Sequence, residues 1–263
     1  AYRLLDGSDC LSFETAKVES IDPERGIDLP GWGTNHTPEQ LQKLLKSYES
    51  IDEEKLWKNC HYFLRKVLPT AQECGIKLAL HPDDPPRNIF GLPRIAKNVE
   101  DYHRIINTSD IASESNCITF CCGSFGSVQE NDLPSMIREF GPVGKIPFVH
   151  FRNIQRSDNG DFYESGHQTG CGSNDMWKIM EALYDMDQPF YLRPDHGRRI
   201  WNEAWSTKEI MLPDGTMKKE HRPDGWNGKK PVAGYGIFDR ALGATYAQGL
   251  YEGIARTKNK RRV

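Results

Sequence analysis

Four side chains able to bind a metal stand at the ends of four short apolar runs. His81 follows Leu78-Ala79-Leu80, Cys121 follows Ile118-Thr119-Phe120, His150 follows Phe148-Val149, and Asp195 comes shortly after Tyr191-Leu192. Imidazole, thiolate, imidazole and carboxylate together make a donor set for a divalent ion. Each has an ordinary explanation on its own. A histidine at a strand exit is commonly structural, a cysteine there is commonly an inert core thiol, and an aspartate can cap a helix. Their recurrence at four successive strand ends points to a metal site. The set does not name its ion, because the soft thiolate suits zinc or iron while manganese prefers oxygen and nitrogen. Around an octahedral ion, four protein ligands leave two positions for substrate oxygens, as a Lewis-acid catalyst needs. In a tetrahedral zinc shell the same four would close the site.

The residues beside these ligands suit an acidic sugar. Arg152 and Asn153 lie just beyond His150, and Arg193, His196 and Arg198 flank Asp195. Arginines gathered at one rim can hold a carboxylate through paired hydrogen bonds. The competing explanation for each is a structural ion pair. His196, next to a ligand, is a natural general acid or base, since imidazole titrates near neutrality. Tyr235, in Gly234-Tyr235-Gly236, sits on a segment that could swing in as a proton donor. Other chemistries find no support. Cys121-Cys122 is not a CxxC redox pair, and neither usual glycine-rich nucleotide signature is present.

The ligand positions run from 81 to 121 to 150 to 195, gaps of 40, 29 and 45 residues, each long enough for a helix and loops. A parallel α/β barrel repeats about every 31 residues and collects its chemistry at the C-terminal ends of its strands. The expected fold is therefore α/β, of TIM-barrel type, with residues 1–263 forming a single domain that supplies about four parallel strands of its C-terminal part. The first strands are not found. Half a barrel has open edges, so the chain is expected to be part of something larger, or to complete itself with a second copy as a homo-oligomer.

Helices are expected from Thr37, where Pro38 and Gln40 complete a capping signature, and over Leu56–Ala71, with Pro69 bending or interrupting the latter before Gly75. Further helices are expected over Asn98–Asn107, Asp132–Phe140, Asp175–Tyr184 and Phe238–Ala255. Gly123–Ser127 reads as a loop. Residues 1–37 lack periodicity and include a turn at Pro30-Gly31-Trp32-Gly33. Residues 202–231 read as an excursion over the active face, with a hairpin turning at Pro213-Asp214-Gly215 and a second turn at Pro223-Asp224-Gly225-Trp226.

A net charge of −3 over 263 residues gives no electrostatic reason to expect nucleic acid or an anionic membrane. The basic run from Arg256 to Arg262 reads as a solvated tail. No stretch approaches the roughly 18 apolar residues of a membrane span, and the first residues lack a signal-peptide pattern. Seven cysteines, an odd number without a framework, fit a reducing cytoplasm.

Segment after segment, the chain resembles the mannonate dehydratase family. The segments are HPDDPP from His81, Ile89-Phe90-Gly91-Leu92-Pro93-Arg94-Ile95, then FCCGS, FVHFRN, FYESGH, RPDHGR and GYGIFDRALG, in that order. The resemblance implies a metal-dependent hydro-lyase on a TIM barrel related to xylose isomerase. It would convert D-mannonate to 2-dehydro-3-deoxy-D-gluconate and water, with Mn2+ or Fe2+, in hexuronate breakdown. It also implies metal ligands at His81, Cys121, His150 and Asp195 and acid/base residues at His196 and Tyr235. The chain departs from the family pattern at Arg87-Asn88, where Trp-Pro is common, and at Cys122, where Thr or Ser is more usual. Family members also carry a longer N-terminal portion with the first strands. Two other readings compete. One is a metal-dependent sugar isomerase or epimerase, against which the Cys121 ligand argues. The other is a partial chain that binds metal at most.

Overall fold

The four apolar runs form one parallel sheet. In the computed structural model, which describes residues 2–22, 27–28, 35–201, 205–223 and 234–260, the strands are β1 (Leu78–Leu80), β2 (Asn116–Cys121), β3 (Phe148–His150) and β4 (Tyr191–Arg193). They lie in sequence order, β1 beside β2, β2 beside β3 and β3 beside β4, and every pairing is parallel. Parallel neighbours need a crossover of a dozen residues or more, which accounts for the wide spacing of the four candidate ligands. Among the described residues the sheet is open, with β1 and β4 each paired on one side only. The chain is thus an α/β structure built on a parallel sheet.

Alternation along the strands decides what each face carries. Ile118, Phe120 and Val149 are fully buried in the main core against the helices. Thr119, Cys121 and His150 therefore fall on the opposite face. The helices are α1 (Pro38–Tyr48), α2 (Glu53–Glu73), α3 (Val99–Ile106), α4 (Leu133–Phe140), α5 (Met176–Asp185) and α6 (Ile237–Lys260). Their starts follow from capping chemistry. Thr37 and Gln40 close a reciprocal box, and Asp52, Asn98, Asp132 and Asp175 each accept a backbone N–H three residues on.

Three expectations need correction. Pro69 does not interrupt α2, which runs on to Glu73. The proline removes one hydrogen bond near the end of the helix, while Leu64, Leu68 and Ala71 bury the core-facing side of that stretch. Gly75, at φ +65°, then supplies the left-handed stop. The expected loop at Gly123–Ser127 contains a short helix, Cys122–Gly126, whose first turn is capped by the Cys121 sulfur and whose Phe125 is fully buried. The aperiodic N-terminal region contributes Ser12–Phe13 to a three-stranded antiparallel sheet with Phe162–Glu164 and Ile154–Arg156. That second sheet was not foreseen.

The hairpin forms where it was expected, Trp205–Met211 against Met217–Pro223, turning through Gly215 at φ +83°. The turn at Pro30–Gly33, residues 224–226 of the second expected turn and the end of the basic run at 261–262 lie outside the described residues. No helix among the described residues is long and apolar enough to cross a membrane.

Candidate metal centre

Strand register brings the candidate ligands together. Cys121 is the direct parallel partner of His150, which in turn partners Arg193. His81 and Asp195 follow β1 and β4 by one and two residues. One donor atom from each of His81, Cys121, His150 and Asp195 lies within 4.8 Å of all the others. His81 Nε2 is 3.2 Å from His150 Nδ1, and His150 Nδ1 is 3.4 Å from Asp195 Oδ2.

The donor set fits a divalent ion. Metal bonds of about 2.0–2.3 Å place neighbouring ligand atoms roughly 3–4.5 Å apart around one centre, the scale of the separations found here. The other ring nitrogen of His81, Nδ1, lies 2.6 Å from the Pro82 carbonyl. As an N–H donor to that oxygen it leaves Nε2 with its lone pair toward the cluster, the usual arrangement of a ligating histidine. His150 Nε2 is buried and has no hydrogen-bond partner among the described residues.

The four groups shift one another's protonation. Burial alone would raise the Cys121 thiol, but hydrogen bonds to His150 and His81 and the charge of Arg152 bring it well below the ordinary thiol value. Asp195 behaves likewise: burial opposes its ionisation, and His150 and then His196 hold it well below the usual carboxylate range. Burial disfavours the His150 cation, yet Asp195 and Cys121 raise it to about 9. Anionic thiolate and carboxylate facing two imidazoles make a site that attracts cations. The neighbouring Cys122 is pushed the other way by burial and by Cys121, so it is an inert thiol.

His196 and Tyr235 are both at this site. His196 Nε2 is 3.4 Å from Asp195 Oδ2, and its Nδ1 is 2.8 Å from Glu164 Oε1. The Tyr235 ring lies 5.1 Å from the His196 ring, centroid to centroid, fixed by a backbone bridge between Gly197 and Tyr235. Burial and the charge of Asp195 raise the Tyr235 phenol.

The residues expected to hold substrate have their donors engaged within the protein. Arg152 donates Nε and Nη2 to Glu164 and Nη1 to Asp84 and Ser124. Asn153 donates to the Gln168 carbonyl and accepts from the backbone N–H groups of Ile154 and Asn174. Arg198 grips Asp239 through Nε and Nη2 and reaches Asp6 with Nη1. Arg193 donates Nη2 to Asp195 Oδ1 at 2.7 Å. Arg87, at the family departure, donates to Thr15 Oγ1 and the Gly160 carbonyl and so ties down the N-terminal segment.

Glu164 and Asp84 were missed in the sequence. A glutamate ending an aromatic run, as in Phe162-Tyr163-Glu164, is a usable signal, because a carboxylate is seldom fully buried without a cationic partner.

The chain is similar to known proteins over most of its length. A family model described as D-mannonate dehydratase (UxuA) matches residues 1–211. The mannonate dehydratase of Oceanobacillus iheyensis is 47% identical over 254 residues, covering 96% of this chain and 64% of that protein. The mannonate dehydratase of Thermotoga petrophila is 40% identical, covering 98% of this chain and 66% of its own length. The crystal structure of mannonate dehydratase from Streptococcus suis serotype 2 superposes with a TM-score of 0.78 at 36% identity, over 97% of this chain and 62% of that one. The chain thus spans a little under two thirds of the length of these relatives. With a family match that spans all four strands of the parallel sheet, the chain belongs to the mannonate dehydratase family.

Proposed function

We propose that this chain carries the metal and proton-transfer groups of a hydro-lyase that converts D-mannonate to 2-dehydro-3-deoxy-D-gluconate and water. The single observation behind the reading is the convergence of His81, Cys121, His150 and Asp195 on one point, with His196 and Tyr235 directly beside it. His81 and His150 through ring nitrogens, Cys121 through sulfur and Asp195 through a carboxylate oxygen would hold Mn2+ or Fe2+. When bound, that ion supplies Lewis-acid charge next to the substrate's carboxylate and hydroxyl oxygens.

The remaining chemistry belongs to the chain's own side chains. Elimination takes the proton from the carbon next to the carboxylate and expels the hydroxyl from the carbon beyond it. His196 has Nδ1 engaged by Glu164, so its Nε2, on the ligand side, is the nitrogen placed to take that proton. The Tyr235 phenol, held protonated by burial and by Asp195, is suited to donate to the departing hydroxyl, which leaves as water. The enol that results tautomerises to the 2-keto acid. Arg152, Asn153 and Arg198 enter this reading as residues that hold the rim in place, because their donors are already engaged.

The same reading takes the four parallel strands as the C-terminal part of a TIM barrel and the described part of the expected excursion at 202–231, the hairpin of residues 205–223, as lying over its active face. Seven cysteines without a disulfide support a cytoplasmic setting. The test is product identity. The purified chain, loaded with Mn2+ or Fe2+ and given D-mannonate, is expected to form a 2-keto-3-deoxy acid. An isomeric sugar acid that retains all its water would overturn the proposal in favour of an isomerase, and no product from a metal-loaded chain would overturn it outright.

A further inference from the structure

Beneath the ligand rim runs a buried chain of charges that metal binding by itself does not require. Glu164 is 3% exposed and Arg152 is 2% exposed. Oε1 of Glu164 accepts from His196 Nδ1 at 2.8 Å and from Arg152 Nη2, while Oε2 accepts from Arg152 Nε at 3.0 Å. Arg152 continues through Nη1 to Asp84 and Ser124. Segments following β1, β3 and β4 and the end of the central strand of the antiparallel sheet all meet on these side chains. A buried ion pair is weak support for stability, since apolar replacements of similar volume are often neutral or better. Its construction here calls for another role.

We propose that Glu164 is the positioning residue of His196: held by Arg152, it keeps the imidazole hydrogen on Nδ1 and leaves the Nε2 lone pair facing the metal rim. An ionised carboxylate only accepts hydrogen bonds, so the nitrogen 2.8 Å from it must carry the hydrogen. The neutral ring is then unprotonated at Nε2, 3.4 Å from Asp195 Oδ2. Burial alone would push the Glu164 carboxyl up, but Arg152, followed by His196, holds it down to about 2. A carboxylate that orients an imidazole in this way is worth far more to turnover than to binding, because the opposite tautomer has its hydrogen where the lone pair is needed.

The inference rests on the reading of His196 as a proton-transfer group, so its test is chosen to fail separately. Long-range 1H–15N spectra of the full chain, with His196 assigned by loss of its signals in His196→Asn, report which nitrogen of the neutral ring carries hydrogen. The expected result is hydrogen on Nδ1 in the unsubstituted chain and a mixed or reversed pattern in Glu164→Gln. In Glu164→Asp, which keeps the charge, the original pattern should largely return. Metal content should match the unsubstituted chain in both variants. Glu164→Gln should lower kcat by roughly 100-fold or more with KM within a few-fold, and Glu164→Asp should recover part of that loss.

Hydrogen on Nε2 in the unsubstituted chain would overturn the proposal without recourse to any variant. Full turnover in Glu164→Gln would overturn it while leaving the dehydratase reading intact. The expected tautomer pattern in a chain without dehydratase activity would uphold the positioning geometry and remove the reaction assigned to it.

Discussion

His81 Nε2 and His150 Nδ1 face each other at 3.2 Å, with their ring centroids 5.0 Å apart. The His81 ring is oriented by the Pro82 carbonyl at its Nδ1, so its free lone pair points at His150. With Cys121 and Asp195 also at this point, the protein has placed two nitrogen donors and two anions where a proton or a metal must sit between them. Protons and metal compete for the same lone pairs.

That competition has a measurable sign. The Cys121 thiol is already lowered by its neighbours, whereas His150 is raised to about 9 and His81 is raised as well. Without metal at neutral pH, His150 therefore carries a proton that it must release to ligate. Titrating Mn2+ into the metal-stripped chain at pH 7.5, in buffers of different ionisation enthalpy, should show net release of about one proton or more. Binding with no proton release would contradict this protonation pattern.

His196→Asn and Tyr235→Phe should separate chemistry from metal binding. Neither residue is among the four candidate ligands; His196 lies next to Asp195 and Tyr235 next to His196. Each substitution should lower kcat by about 100-fold or more while the bound metal, measured by elemental analysis, stays unchanged. Metal loss in proportion to activity loss would reassign them to holding the ion.

Gly123 tests the scaffold under the rim. A Cβ at this position would lie 2.4 Å from Arg152 Cδ, and that side chain is enclosed on every side. Gly123→Ala should cost about 1–3 kcal/mol in urea unfolding and lower turnover by displacing Arg152 from Glu164. Gly249, inside α6, meets nothing within 4 Å, and Gly249→Ala should be neutral or stabilising by up to about 1 kcal/mol. Equal effects of the two substitutions would contradict the tight packing of Arg152.

Acid stability carries the signature of Glu164. Arg152 and then His196 outweigh burial and hold its folded value at about 2, below the ordinary carboxyl value of 4.5, so its contribution is fully present above the unfolded value and is lost as pH falls toward the folded one. The contribution at neutral pH is on the order of 3 kcal/mol, with roughly 2 kcal/mol of it gone by pH 3. Asp195, also lowered, acts in the same direction. Urea unfolding between pH 6 and pH 3 should show this decline, and Glu164→Gln should flatten it. An equally steep decline in that variant would contradict the ionised, buried state of Glu164.

Much of the site was legible in the sequence because chain topology needs little more than alternation and spacing. Short apolar runs ending in His81, Cys121, His150 and Arg193-Pro194-Asp195 read directly as parallel strands, since only such strands set equivalent ends side by side at these separations. Capping residues such as Thr37, Asn98 and Asp132 fixed the helix starts for local chemical reasons. What stayed hidden depends on long-range pairing. Two-residue pieces such as Ser12–Phe13 have no periodicity to detect, and they exist because Phe162–Glu164 pairs with them. The arginines stayed ambiguous for a related reason. A guanidinium beside a rim looks the same in sequence whether it faces substrate or, as with Arg152 and Glu164, an internal carboxylate.

The measurement that bears most directly on the site is X-ray absorption at the metal edge of the Mn2+- or Fe2+-loaded chain, compared with Cys121→Ser. One sulfur neighbour at roughly 2.3–2.5 Å, together with imidazole scattering, is expected in the unsubstituted chain, and the sulfur contribution should vanish in the variant. A metal environment without sulfur, identical in the two proteins, would show that the ion binds elsewhere and that the convergence of His81, Cys121, His150 and Asp195 is not a metal centre.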